Sequence, residues 1–393
     1  MRHFVFVGHD ASRTGAPILL LHLLRWLKSE GVCSFSIVLL RGGELEEDFR
    51  LLGPVYIWHD PTVSATFWQR CWLKVKQKAG IHFQQEMLSR HKQDIIDKLK
   101  LQQPKIIYGN TVVSAEVVAQ LKAEFNCAAV CHVHELRIAI ERYFGTEKFG
   151  RQLPHIDLLI VASEAVHINL LKTFNLDNIK VFKVYEFVPS GEEIGHQLSP
   201  EIIRTSLGIP AGSKVVAASG TLDWRKSPDL FVQMAGHLRQ IAVDMPYFLW
   251  IGGDTATMAH QELLYDAEQL GIASYFRFVG SKPNPLDYLR LADVFVLTSR
   301  EDPYPLVCLE AATLGKPIVC FEQAGGMPEF VEKDCGTVVP FLRPDLLAIA
   351  VQELLMNPAK RQLAGHNALL KVRSRHSVES AGRQIAEQIN LLG

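Results

Sequence analysis

The 393-residue chain is short of the features that mark the more easily read classes of protein. It has no excess of either charge: 41 lysines and arginines stand against 42 aspartates and glutamates, for a formal charge of -1. A dedicated nucleic-acid binder usually carries a strong basic excess, so no nucleic-acid partner is expected. It has no apolar run near the roughly 18 residues that a membrane span needs. Its opening, MRHFVFVGHD, turns polar too soon for a secretory signal. These absences predict a soluble, cytoplasmic chain. Its seven cysteines (Cys33, Cys71, Cys127, Cys131, Cys308, Cys320, Cys335) are odd in number and scattered, and no two have metal-ligand spacing. That pattern predicts buried free thiols in a reducing compartment rather than disulfides or a zinc site. The first polar turn lacks G-x-G-x-x-G, which counts against a dehydrogenase. No metal-binding D-x-D lies between strand-like runs, and low-complexity segments are absent too.

What the chain does have is alternation. Hydrophobic residues make up 48% of it, enough for two cores. Short apolar, strand-like runs (HFVFVG, FSIVLL, KIIYGN, AAVCHVHE, DLLIVAS, VFKVYEFV) are separated by helical patterns such as residues 17–29 and 115–125. Strands separated by helices pair in parallel through right-handed crossovers. The pattern pauses over the polar, turn-rich residues 189–207 and restarts with KVVAASG, FLWIGG, FRFVG, DVFVLTS, KPIVCF and GTVVP. The reading is an α/β protein of two doubly wound, Rossmann-like domains, residues 1–190 and 200–374, joined near residues 187–200. The amphipathic C-terminal segment, residues 375–393, is expected to return to the first domain. Open parallel sheets bind ligands beyond the carboxyl ends of their strands. Two such sheets facing each other would make an interdomain cleft there.

The stretch SREDPYPLVCLEAATLGKPIV, residues 299–319, carries the sharpest signal. Asp302 falls in a loop that Pro303 and Pro305 stiffen, and Glu310 falls on a helix that starts near Leu306 and Val307 and stops at Gly315. The free N–H groups of the helix start suit a phosphate. A carboxylate accepts two hydroxyl hydrogen bonds at once and so suits a vicinal diol. By spacing alone, both acids could equally be solvated loop and helix residues. The stretch, however, resembles the donor signature of the retaining glycosyltransferases of family 4, which have the GT-B fold: an acid, seven residues, then a glutamate before Ala. The resemblance implies that Glu310 binds the donor ribose and that Asp302, where the family usually has Glu, contacts the transferred sugar.

The same resemblance orders the other motifs. In AASGTLDWRKSPDLF, Lys226 matches the family's phosphate-binding lysine. The family's upstream arginine is missing, since Gly220 and Thr221 stand there, and Arg225 is the candidate to replace it. Ser227 reads as the cap of the following helix, with Pro228 in its first turn. Gly325 and Gly326 would let backbone approach the donor. Phe278–Gly280 falls where the family holds the nucleobase. In VGHDASRTGAPILL, Gly15 matches a glycine facing the donor phosphates, and Arg13 lies on the acceptor side. His134, in CHVHEL, matches a histidine beside the transferred sugar, with Glu135 after it and Asn110 of YGNTVVSA nearby. Residues 58–83, with three tryptophans and several cations, suit a groove for a glycan or lipid-linked acceptor, a membrane interface, or an ordinary lid.

The function so implied is transfer of a sugar, with retention, from a nucleoside-diphosphate sugar to a hydroxyl of a glycan or lipid-linked acceptor. His134 and Asp302 are the catalytic candidates. No cofactor and no metal are expected, and peripheral contact with the inner membrane face is allowed. A nucleotide-sugar epimerase, another enzyme of the same fold, or an inactive nucleotide-sugar-binding protein stays open.

Overall fold

The computed structural model describes residues 2–60, 77–189 and 198–392. The chain divides into two compact units, Met1–Ala162, His167–Val184 and Gly382–Gly393 in the first, Ser163–Val166 and Tyr185–Ala381 in the second.

The first unit is built on seven parallel strands: β1 (His3–Gly8), β2 (Ser34–Leu39), β3 (Val55–Ile57), β4 (Ile106–Asn110), β5 (Ala128–Val133), β6 (Leu158–Val161) and β7 (Lys180–Lys183), in the order β3-β2-β1-β4-β5-β6-β7. Strands β1, β4, β5 and β6 are buried almost throughout, as parallel strands covered on both faces must be, which is why they read as near-continuous apolar runs. Helices α1 (Gly15–Ser29), α2 (Gln77–Lys100), α3 (Ala115–Phe125) and α4 (Glu164–Thr173) follow in chain order. The three-residue β3 is too short to give a periodic signal. The run VFKVYEFV forms a strand only over its first part, because the chain passes to the second unit at Tyr185.

The second unit repeats the plan with six strands, β8 (Val215–Ser219), β9 (Tyr247–Ile251), β10 (Phe276–Phe278), β11 (Val294–Leu297), β12 (Ile318–Phe321) and β13 (Gly336–Val339), ordered β10-β9-β8-β11-β12-β13. Its helices include α5 (Pro228–Ile241), α6 (Leu306–Thr313), α7 (Met327–Val331) and α8 (Val378–Asn390), the last of which ends in the first unit. Phe231, Phe248, Trp250 and Phe276 are buried ring against ring beside β9 and β10. Each such side chain contributes about 2–3 kcal/mol by leaving water. The helix Met258–Gln269 starts behind Thr257, whose hydroxyl caps it by accepting from the His260 N–H.

In both units the strand order reverses beside the first strand, between β1 and β4 and between β8 and β11. That is the position at which an open α/β sheet offers a crevice beyond its strand ends. Among the described residues no helix is long and apolar enough to cross a membrane. Six cysteines are free thiols, all buried except the half-buried Cys127, and Cys71 lies outside the described residues.

Candidate functional site

In the second unit, the loops after β8 and β11 meet at the switch point and are held together by charge. Lys226 Nζ lies 2.5 Å from Asp302 Oδ2, and Arg225 Nη1 lies 3.7 Å from Asp302 Oδ1. The three side chains are only 15%, 19% and 5% exposed, respectively for Lys226, Arg225 and Asp302, so the pairing is little screened by water. Ser299 Oγ donates to the same Asp302 oxygen at 3.0 Å. The cations are aimed by their own loop: Asp223 Oδ1 accepts from the N–H groups of Arg225 and Lys226, and Thr221 Oγ1 donates to Asp223 Oδ2. The Arg300 N–H donates to the Arg225 carbonyl, while its guanidinium makes a two-pronged pair with Asp229 and sits 5.7 Å from the Trp224 ring. Asp223, Ser299 and Arg300 were not singled out by sequence reasoning. The Asp223 spacing, two and three residues before the cations, was the signal for a side-chain-capped turn.

Asp302 is further fixed by its own backbone, whose N–H donates to the Ala324 carbonyl. This brings the Gly325-Gly326 turn beside it. Gly325 has φ of 146°, open to glycine at no steric penalty. At Gly326 a Cβ would come within 2.5 Å of the Pro303 carbonyl oxygen and of Ser163 Cβ, so no larger residue fits. Glu329 of α7 accepts from the Glu164 and Ala165 N–H groups, and Ser163 Oγ donates to the Pro303 carbonyl.

Helix α6 starts at Leu306 behind Pro305, and no side chain caps it, which leaves the Leu306 and Val307 N–H groups directed out of the helix start. Glu310 is half-buried on this helix; burial raises its carboxyl to about 7, and among the described residues its carboxylate has no hydrogen-bond partner. Ser227 does not cap α5 through its side chain: it adopts φ 56°, ψ 56°, and its hydroxyl donates to the Trp224 carbonyl. Ser227 thus takes the left-handed conformation that a glycine would adopt at no steric cost. Gly280 accepts through its carbonyl from the Gly252 N–H, tying the end of β10 to that of β9.

In the first unit the equivalent loops are joined without charge. Gly15 opens α1, and the next carbonyl, Ala16, accepts from Asn110 Nδ2 at 2.8 Å. Asn110 Oδ1 lies 3.0 Å from His134 Nε2. The Glu135 carboxylate accepts from the N–H groups of His134 and Val112. Asn110 and Glu135 are buried, whereas Arg13 is open to solvent and 3.7 Å from Glu44. The His132 ring lies 4.0 Å from the His134 ring, and His132 Nδ1 is 2.7 Å from the Tyr108 hydroxyl. Of the aromatic-cationic segment 58–83, Trp58 is a core residue under Lys92, while residues 61–76 lie outside the described ones. Among the described residues, no three His, Cys, Asp or Glu side chains gather as a metal would require.

Two doubly wound sheets with this strand order define the GT-B class of fold. Residues 199–370 match the family described as glycosyl transferases group 1. It is 30% identical over 200 residues to a D-inositol 3-phosphate glycosyltransferase of Corynebacterium urealyticum, covering 49% of this chain and 46% of that protein. It is likewise 30% identical over 185 residues to the lipopolysaccharide core biosynthesis glycosyltransferase LpsD of Rhizobium meliloti, covering 44% of this chain and 49% of the other. The matched region therefore spans about half the length of these curated relatives. Among solved structures, Anabaena HepE in complex with UDP and glucose superposes with a TM-score of 0.79 at 18% identity over the whole of both chains. WaaG, a glycosyltransferase involved in lipopolysaccharide biosynthesis, does so with a TM-score of 0.71 at 14% identity over 98% of this chain and 99% of that one. At such identities the likeness establishes the fold alone.

Proposed function

We propose that the protein is a retaining glycosyltransferase that takes a sugar from a nucleoside-diphosphate donor, with a uridine nucleotide the first to try. The observation that carries this reading is the convergence of Lys226 and Arg225 on Asp302 in the loop that leads into α6, a helix whose start is open and whose Glu310 carboxylate has no hydrogen-bond partner among the described residues. The family match over the same residues and the UDP held by HepE, a protein of the same fold, support it. On this reading Glu310 accepts from the ribose hydroxyls. Lys226, Arg225 and the α6 N–H groups meet the diphosphate, and no metal is needed to carry its charge. The bond from the sugar's anomeric carbon to the phosphate oxygen breaks as the acceptor oxygen bonds to that carbon on the same face. The acceptor's proton passes to the departing phosphate. Asp302 contacts the sugar, and the resemblance gives His134 a place beside the transferred sugar and Gly15 one facing the phosphates. Glycan or lipid-linked hydroxyls are the acceptors.

The test is a thermal-shift screen of nucleoside diphosphates and their sugars, followed by NMR of any product. A donor should raise the melting temperature, less so below about pH 7, where the Glu310 carboxyl is protonated and accepts poorly. Glu310→Ala and Lys226→Ala should each abolish the shift, and the product should keep the donor's anomeric configuration. A shift retained in both variants rejects the site. Conversion of the sugar without acceptor indicates an epimerase, and binding without turnover a nucleotide-sugar-binding protein.

A further inference from the structure

The first unit contains a chain of hydrogen bonds whose donors and acceptors can be assigned by elimination. Asn110 closes β4 and is 1% exposed, beside Gly8 in the register of β1. One atom of its amide lies 2.8 Å from the Ala16 carbonyl oxygen. A carbonyl can only accept, so that atom is the amide nitrogen, and the other is the amide oxygen. The oxygen lies 3.0 Å from His134 Nε2 and can also only accept. His134 Nε2 must then carry a proton, and in the neutral ring Nδ1 carries none.

We propose that Asn110 is a positioning residue that holds His134 in the tautomer protonated on Nε2. The role rests on the reading above, in which His134 lies beside the transferred sugar. The ring is confined from several sides. Its own backbone N–H is held by Glu135, His132 lies against it, and His9 with Asp10 faces it from the loop after β1. Tyr108 anchors His132 from below. Burial, with His134 a smaller cause, lowers the basicity of His132, and burial lowers that of His9 against the opposing charge of Asp10, with His134 a lesser cause. A ring fixed in this way presents Nδ1 as an acceptor only and cannot exchange donor for acceptor during turnover. The anchor of the amide, Ala16, follows Gly15, so the α1 loop sets the tautomer as well as its own path.

The experiment is NMR of the full chain labelled with 15N-histidine, with His134 assigned by the signals lost in His134→Gln. The expected spectrum has Nε2 at the protonated shift and Nδ1 at the unprotonated one. In Asn110→Leu the two signals should move toward an exchange average, and kcat should fall by about 10- to 100-fold while KM for the donor changes little. Asn110→Asp keeps an acceptor oxygen and should keep Nε2 at the protonated shift, while its carboxylate favours a second proton on Nδ1. A native His134 protonated on Nδ1, or an unchanged spectrum in Asn110→Leu, overturns the proposal. If Asn110→Leu does not fold, the native and Asn110→Asp spectra decide. A fully active His134→Gln, alongside a native chain that shows the Nε2–H signature, would refute the role of His134 in transfer and leave the tautomer assignment standing.

Discussion

In the first unit an amide joins the loops at the switch point, Asn110 to Ala16; in the second a charge pair joins them, Lys226 to Asp302. The two sheets have the same strand order about that point, so topology does not dictate the chemistry placed there. A neutral hydrogen bond contributes about 0.5–1.5 kcal/mol and mainly fixes geometry, while one to a charged group contributes about 1.5–3 kcal/mol. The charged junction can also respond to a charged ligand. With no diphosphate present, Lys226 and Arg225 neutralise Asp302, which keeps a nearly buried carboxylate from standing alone. On the proposed reading, a diphosphate would offer the same cations a stronger partner and leave Asp302 to take up a sugar hydroxyl.

The largest effect expected is therefore on the ionic side. Lys226→Ala should slow transfer by about 100- to 1,000-fold, the scale for removing one preorganised group at developing charge. It should also destabilise the second unit by about 3 kcal/mol, because Asp302 stays buried with a weaker cation. Arg225→Ala should slow transfer less, and adding Thr221→Arg should recover part of the loss by restoring a cation upstream. Steady-state kinetics with the donor found in the screen measure both. Normal turnover in Lys226→Ala would erase the contrast between the units, and failure of Thr221→Arg to rescue would show that Arg225 is not a relocated phosphate ligand.

Much of this contrast could be read from the chain. The strands of both sheets follow from their apolar runs, apart from β3, and the paired acids and Lys226 follow from spacing and resemblance. What escaped notice depends on partners distant in sequence. Arg300 stands inside the quoted stretch, but only the fold brings Asp229 and Trp224 to it. Asn110 read as a polar residue near the site because nothing in YGNTVVSA tells that an α1 carbonyl lies 2.8 Å away. Ser227 read as a helix cap because serine before Pro228 usually is one; the left-handed turn that aims Lys226 overrode that preference.

Acid should separate the units next. In the first unit, burial, with Arg25 a smaller cause, lowers His22 to about 4, and burial drives His132 well below 6.5. The unfolded chain takes up these protons first, so the stability they contribute is whole above about pH 6.5 and is lost as pH falls toward 4. Each group shifted to about 4 loses about 1–2 kcal/mol between pH 7 and pH 5. In the second unit His376, lowered by burial to about 4, behaves alike, but Glu310 has the opposite sign. Its folded value of about 7 lies above the ordinary 4.5, so the folded form binds that proton first and gains stability over the same window, roughly cancelling the loss at His376. Pulse proteolysis at pH 7 and pH 5, with the fragments read by mass spectrometry, should find the first unit opening at lower denaturant as the acid rises. A second unit that opens first would break the comparison.

The smallest effects lie in the backbone. Each junction contains a residue forced to positive φ: Thr111 at φ 132°, ψ 160° directly after Asn110, and Ser227 at φ 56°, ψ 56° directly after Lys226. Such conformations cost about 1–3 kcal/mol. Ser227 is partly compensated, since its hydroxyl reaches the Trp224 carbonyl at 2.8 Å. Thr111 is not: its buried hydroxyl has no hydrogen-bond partner among the described residues. Ser227→Gly exchanges relief of strain for a lost hydrogen bond and should leave stability within about 0.5 kcal/mol of the native chain. Thr111→Gly loses no such bond and should stabilise by about 1 kcal/mol, a rise of about 2–4 °C in melting temperature. If that stabler variant also transfers sugar more slowly, the strain at Thr111 is what keeps Asn110 turned toward His134. If it is stabler and equally fast, the amide holds its orientation through Ala16 alone.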